Sequence, residues 1–210
     1  MTLRLERLTR GPVLDRLLDP LADLRIEVFR DWPYLYDGSR DYEAWYLARF
    51  AAAEGAVLVA AFDGDDLVGA STGLPLAAEH ADFAAPLAAA GYPVGELYYG
   101  AETILRRQYR GRGLYRRFFA GREAHAAALG GFAQLVFCGV VRPDDHPLKP
   151  ADARPLDPVW RRFGYRRLDG VTAGFPWKDV DRADETVKPM QFWIKPLEVR
   201  QLQVRRPGPP

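Results

Sequence analysis

The chain has 210 residues, 48% of them apolar and 27% charged, with a formal net charge of +1. That is enough apolar content for one sizeable core and too much for a disordered chain. The near-neutral balance excludes a global pull toward nucleic acid or an anionic membrane, and a single cysteine, Cys138, excludes an intrachain disulfide and fits a reducing compartment.

The opening MTLRLERLTR is too charged for a secretory signal, and within it LRLERL alternates as a first strand. VLDRLLDPLADLRIEVFRDW has apolar residues at helical spacing, with Pro20 predicted to break or kink it. RDYEAWYLARFAAA reads as a second helix, with Ser39 and Asp41 as candidate caps. AVLVAAFDGDDLVGASTGLPL reads as two strands around the turn DGDD, and EHADFAAPLAAAGY as an alanine-rich helix. GELYYGAETIL is a strand. GLYRRFFAGREAHAAALG is a helix with Leu114, Phe118, Ala126 and Leu129 along one side, stopped by Gly130 and Gly131. AQLVFCGVV is a buried strand, RPDDHPLKPADARP a proline-rich loop, LDPVWRRFGY a short helix, and YRRLDGVTAGF and KPMQFWIKPL closing strands. Hairpins early and late around one strand–helix–strand unit make a mixed α/β chain, with no internal repeat. The expected division is one domain over 1–199 and a disordered tail over 200–210. No apolar run approaches the roughly 20 residues that span a bilayer, so the predicted location is cytoplasmic.

Between the strand GELYYGAETIL and the helix that follows lies QYRGRGLYRRFF. Glycine belongs where the backbone turns sharply or a ligand comes close. Unpaired amides at a helix N-terminus and the helix dipole attract anions. Gly111 and Gly113, ringed by Arg106, Arg107, Arg110, Arg112, Arg116 and Arg117, therefore predict a diphosphate cradle in a strand–loop–helix context.

Gln108-x-x-Gly111-x-Gly113 resembles the Q/R-x-x-G-x-G/A signature of the GCN5-related N-acetyltransferases, the GNAT superfamily. The order of elements and the turn WRRFGY are also similar to that family over most of residues 3–197, and the segment from 142 onward looks like a bacterial branch of it. The resemblance implies a twisted, mostly antiparallel sheet of about seven strands flanked by helices and splayed between the fourth and fifth. It implies transfer of an acetyl group from the co-substrate acetyl-CoA to a primary amine of a small molecule or peptide, by direct attack in a ternary complex. Ile104 and Leu105 would pair with the pantetheine arm. Gln108, Tyr109, Arg110, Gly111, Arg112 and Gly113 would offer backbone donors to the diphosphate, and Arg106 or Arg116 would reach the 3′-phosphate.

The base that takes the amine proton has three candidates along the fourth strand: Glu96, Tyr99 and Glu102. Simple alternation puts Glu96 and Glu102 on one face and Tyr99 on the other, unless a bulge reverses the parity. Glu102 is favoured as nearest the thioester. The tyrosine that the family uses to protonate the leaving thiolate is replaced at the matching position by Trp160, leaving Tyr98, Tyr165 or solvent. Trp32, Tyr34, Tyr36 and Asp37, in an aromatic loop, and His146, in the proline-rich loop, are candidates for the acceptor side.

Other readings are weaker. A catalytically degenerate acyl-CoA sensor or scaffold would explain Trp160. GASTG at 69–73 matches the serine-hydrolase elbow around Ser71, but a strand continues where a helix must follow. Cys138 with His125 or His146 would be a thiol pair, although a lone cysteine in an apolar strand is usually core. His80, His125 and His146 lack metal-ligand spacing, so no metal is expected, nor a nucleic-acid or membrane partner; a homodimer is left open.

Overall fold

The run AVLVAAF and its partner after DGDD close as a tight hairpin, with Asp63 paired to Asp66 and Gly64 at φ +62° in the turn. They are two of the strands in this computed structural model, which describes residues 3–197; the tail expected at 200–210 lies outside the described residues. The strands are β1 (Leu3–Leu8), β2 (Val57–Asp63), β3 (Asp66–Pro75), β4 (Leu97–Leu105), β5 (Gln134–Val140), β6 (Arg166–Lys178) and β7 (Glu185–Pro196). They form one seven-stranded sheet in the order β1-β2-β3-β4-β5-β7-β6. Neighbours are antiparallel except β4 and β5, which run parallel.

Helices α1 (Pro12–Asp15), α2 (Leu18–Phe29), α3 (Arg40–Ala52), α4 (Ala81–Ala89), α5 (Leu114–Leu129) and α6 (Asp157–Arg162) flank the sheet. The break expected at Pro20 falls earlier, at Arg16–Leu17, because Pro20 sits in the first turn of α2, where its missing N–H has no helical acceptor to lose. Ser39 caps α3 by accepting from the Tyr42 amide at 3.3 Å. Apolar residues of α2, α3 and α4 (Leu21, Leu47, Leu87) cover one sheet face with Leu58, Ala60 and Ile104. Phe118 and Ala126 of α5, with Trp160 of α6, cover the other with Val57, Val59 and Leu105. Leu129, expected on the buried side of α5, is exposed at the helix end. β2 is buried on both faces, which explains its unbroken apolar run.

Two irregularities of β4 interrupt the sheet. Between the pairs Ser71–Thr103 and Gly73–Gly100, β3 advances two residues while β4 advances three, so β4 carries a bulge at Ala101–Glu102. Its parallel pairing with β5 stops after Leu97–Gln134, Tyr98–Leu135 and Tyr99–Val136. Beyond Tyr99 the two strands part, leaving a gap between them through the sheet.

Candidate active site

On the α2–α4 face of β4 lies a cavity of about 190 Å³, walled by residues from α2, the loop before α3, α3, α4, β4 and β6. Tyr99, Ala101 and Glu102 all line it. This corrects the simple alternation. The bulge inserts one residue, so Tyr99 and Glu102 share a face instead of opposing each other. Glu96 is not on the strand: it ends an exposed turn before β4, where its carbonyl accepts from the Ala133 amide at 2.8 Å, outside the cavity.

Glu102 is buried and belongs to an ionic triad. Arg25 Nη1 lies 2.6 Å from Glu102 Oε2, and Arg25 Nε donates to Glu43 Oε2. The Tyr46 hydroxyl also donates to Glu102 Oε2, at 3.3 Å. Burial pushes the Arg25 guanidinium down, but the charges of Glu102 and Glu43 overcome this and hold it well above its ordinary value. Two carboxylates around one guanidinium leave a surplus negative charge, and Glu102 Oε1 and Glu43 Oε1 are buried with no hydrogen-bond partner among the described residues. Such orphaned acceptors are costly and call for an explanation.

Sequence reasoning missed Arg25 and Glu43, although a signal existed. Leu21, Ala22, Leu24 and Arg25 form the buried stripe of α2, and Glu43, Leu47, Phe50 and Ala51 that of α3. Each stripe has a charge at a core position, and a charge there must find a partner. Glu79, at the end of the turn before α4, was also missed. It lines the same cavity and accepts from the His80 amide at 2.9 Å. Desolvation, with the backbone bond opposing and the charge of Glu102 adding, raises its pKa.

Below the bulge, on the other sheet face, Arg122 of α5 is buried. Its Nη1 donates to the Glu102 carbonyl at 3.0 Å and to Thr103 Oγ1 at 3.1 Å. A Cβ at Gly100 would stand 2.8 Å from this guanidinium and would displace it. Ser71 Oγ donates to the Glu102 carbonyl at 3.1 Å from the middle of β3 and is buried, which removes the hydrolase reading. Cys138 is buried against the Tyr99 hydroxyl at 3.1 Å, and burial pushes its thiol up to about 12, so it is no thiolate nucleophile.

Of the acceptor-side candidates, Tyr34, Tyr36 and Asp37 line the cavity. Trp32 and His146 do not; their rings pack on each other at 5.3 Å between centroids, and His146 lines a separate hollow of about 660 Å³. The proline-rich loop therefore acts indirectly. At its start Arg142 Nε donates to the Pro33 carbonyl at 2.8 Å, Nη2 donates to the Tyr34 carbonyl, and both Nη atoms grip Asp179 at 2.8 Å. Lys188 Nζ lies 3.3 Å from the same carboxylate. This clamp holds the aromatic loop 31–39 over the sheet.

On the α5 side, the glycine loop leads straight into α5. Gly111 and Gly113 both have φ +76°, and a Cβ added to either would meet nothing within 4 Å. The left-handed backbone, not crowding, is what requires glycine there. The amides of Tyr109 and Arg110 are already used, donating to the carbonyls of Arg106 and Arg107 at 3.0 and 3.1 Å, so these two are not diphosphate donors. No backbone carbonyl among the described residues accepts from the amides of Gly111, Arg112 or Gly113. The next three, Leu114 to Arg116, lie in the first helical turn, where amides have no partner within the helix. Gln108 is exposed, and the Tyr109 ring turns inward, its hydroxyl donating to Asp63 at 3.0 Å. Arg106 is held by Glu27 at 2.9 Å and Arg110 Nε donates to the Leu105 carbonyl at 3.3 Å, whereas Arg116 is exposed.

Tyr98 and Tyr165 donate their hydroxyl protons to the Gly55 carbonyl and to Glu123, so neither is free to release one at the gap. The Trp160 ring packs on Gly139 in the diverged half of β5, and its Nε1 donates to the Tyr115 hydroxyl at 2.8 Å. Among the described residues nothing accepts the Tyr115 proton. Burial raises its pKa against the opposing Trp160 bond.

Among the described residues no group of three or more His, Cys, Asp or Glu is placed to hold a metal, and no helix is long and apolar enough to cross a membrane. No protein-family model matches the sequence, and no curated protein matches it significantly. Solved structures do match in shape. An aminoglycoside 6′-N-acetyltransferase complexed with coenzyme A aligns at TM-score 0.57 and 17% identity, over 98% of this chain and 99% of that one. The aminoglycoside 6′-N-acetyltransferase from Enterococcus faecium aligns at 0.57 and 15%, over 98% and 99%. A GNAT-family protein from Desulfovibrio desulfuricans aligns at 0.54 and 15%, over 94% and 100%. The parallel β4–β5 pair that opens after three residues, and the glycine loop leading into α5, thus sit in a chain with the fold of the GNAT acetyltransferases.

Proposed function

We propose that the protein is an acyl-CoA-dependent N-acetyltransferase that moves an acetyl group from acetyl-CoA to a primary amine. The carrying observation is the gap where β4 and β5 part, with unpaired amides on the α5 side and a cavity holding buried carboxylates on the other. The amides of Gly111 to Arg116 fit a diphosphate, since two left-handed glycines leave the approach clear. Of the two candidates for a further phosphate, Arg116 has no carboxylate partner among the described residues, whereas Arg106 is tied to Glu27. The edge of β4 beyond Tyr99 has lost its β5 partner; the Arg106 amide donates to Val68 of β3, so by alternation Leu105, and not Ile104, presents its backbone to the open edge, with its carbonyl shared with Arg110.

Acetyl-CoA supplies the activated acetyl group and a thiolate that must be protonated. Glu102, its Oε1 unpartnered, takes the amine proton at that oxygen. Arg25 and Tyr46 fix its Oε2, so the carboxylate cannot rotate away. Tyr115 holds the proton for the thiolate, oriented by Trp160, which replaces in function the tyrosine absent from position 160. This accounts for Trp160 without invoking a degenerate sensor.

Gly113→Glu puts a side chain and a negative charge at the loop and strains a left-handed residue. Calorimetry should show acetyl-CoA affinity at least tenfold weaker, about 1.4 kcal/mol, with the far-UV spectrum unchanged. Unchanged affinity would refute the coenzyme site. Tight binding of acetyl-CoA without thiol release for any amine would refute the transferase.

A further inference from the structure

The acceptor cavity is small, aromatic and short of cations, and these properties together name a substrate class. Its volume of about 190 Å³ lies below the roughly 300 Å³ at which pockets for drug-sized ligands begin. That is room for one ring and a short side chain. Nine of its nineteen lining side chains are aromatic. Phe83 sits 5.2 Å from Phe175 and 5.5 Å from Tyr99, and Tyr42 stacks with Tyr46 at 6.4 Å, so two clusters of aromatic side chains border the space. Aromatic faces favour a flat apolar body and also attract a cation.

The charges are just as specific. The two cations in the wall are already neutralised: Arg25 by Glu43 and Glu102, Lys178 by Asp37 at 2.6 Å. Among the described residues Glu79 has only a backbone donor, and Glu102 Oε1 has no hydrogen-bond partner although its side chain is only 3% exposed. One fully buried acceptor oxygen answers to one ammonium group. A polycationic, many-hydroxyl acceptor would need far more room than about 190 Å³. The aminoglycosides named for two of the fold neighbours are therefore a poor match to this volume.

We infer that the acceptor is a small arylalkylamine with a single charge, its ring between the aromatic walls around Phe83 and Tyr42 and its ammonium group on Glu102 Oε1. This rests on the acetyltransferase reading for its chemistry, but binding tests it separately. The full-length chain is titrated calorimetrically, with and without coenzyme A, with four probes. These are 2-phenylethylamine, 2-phenylethanol (ring, no charge), n-butylamine (charge, no ring) and kanamycin (polycation). The expected result is 2-phenylethylamine binding at least tenfold tighter than each of the others. Glu102→Gln should weaken it at least tenfold, and Tyr42→Ala several-fold, with coenzyme A affinity unchanged in both as the check on folding. Equal or tighter binding of n-butylamine or kanamycin overturns the inference, as does amine affinity indifferent to both substitutions. Binding of 2-phenylethylamine with no thiol release from acetyl-CoA sinks the transferase and keeps the binding site. Thiol release with n-butylamine or kanamycin, but not with 2-phenylethylamine, keeps the transferase and sinks the inference.

Discussion

Glu102 and Glu79 face one cavity from different surroundings. Glu102 is fixed by Arg25 and Tyr46, while Glu79 is desolvated with a single backbone donor and a raised pKa. If Glu102 is the base, Glu102→Gln lowers kcat about a hundredfold or more and leaves the KM for acetyl-CoA unchanged. Glu79→Gln then has a smaller effect and preserves the acidic limb of the pH–rate profile. A profile that loses its acidic limb only in Glu79→Gln transfers the role to Glu79. Tyr115→Phe should lower kcat while acetyl-CoA affinity holds. At this scale the sequence was partly legible. Glu102, Tyr34, Tyr36 and Asp37 could be found because they lie in or beside elements with clear patterns. Arg25, Glu43 and Glu79 could not be singled out, since a charge on a helix or at a loop end is usually solvated and only packing shows that it is buried. Tyr115 was hidden for a different reason: its partner, Trp160, lies 45 residues away.

The bulge in β4 is held from beneath by α5. Arg122 has no carboxylate partner among the described residues and spends Nη1 on the Glu102 carbonyl and Thr103. With Arg25 and Glu43 on the opposite face, a guanidinium lies on each side of the bulged strand. Arg122→Met removes the donor from buried acceptors, a loss of about 1–3 kcal/mol. Urea denaturation should register that loss, and kcat should fall toward the Glu102→Gln level with acetyl-CoA affinity nearly intact. Full kcat in a destabilised variant would make Arg122 purely structural. The elements themselves were readable from alternation, helical spacing and turn residues. The facing of Glu102 was not, because a bulge belongs to a pair of strands and one strand's alternation cannot report it.

At the scale of the whole molecule, the glycine loop and the cavity were unequally legible. The glycine loop is contiguous, so six residues, 108–113, and their flanks announced it. The cavity joins Arg25, Tyr42, Glu79, Glu102 and Trp177, which meet only after the sheet has formed. One of the contacts that brings them together, the Arg142–Asp179–Lys188 clamp, makes the stability of the fold depend on acidity. Burial pushes the Asp179 carboxyl up, but the hydrogen bonds of Arg142 and the charges of Arg142 and Lys188 more than offset this, so its folded pKa is lowered. A depressed carboxylate stabilises the native state fully only above the unfolded value of about 3.9, and loses that contribution as pH falls through the folded value. The melting-temperature gap between the wild type and Asp179→Asn should therefore be wide at neutral pH and shrink as pH falls below about 4. A gap that stays constant down to acid would mean that Asp179 is held by shape and not by charge. If the gap closes, the wall carrying Tyr34 and Trp177 should be the first part of the fold to loosen in acid, while the glycine loop on the opposite face keeps its geometry.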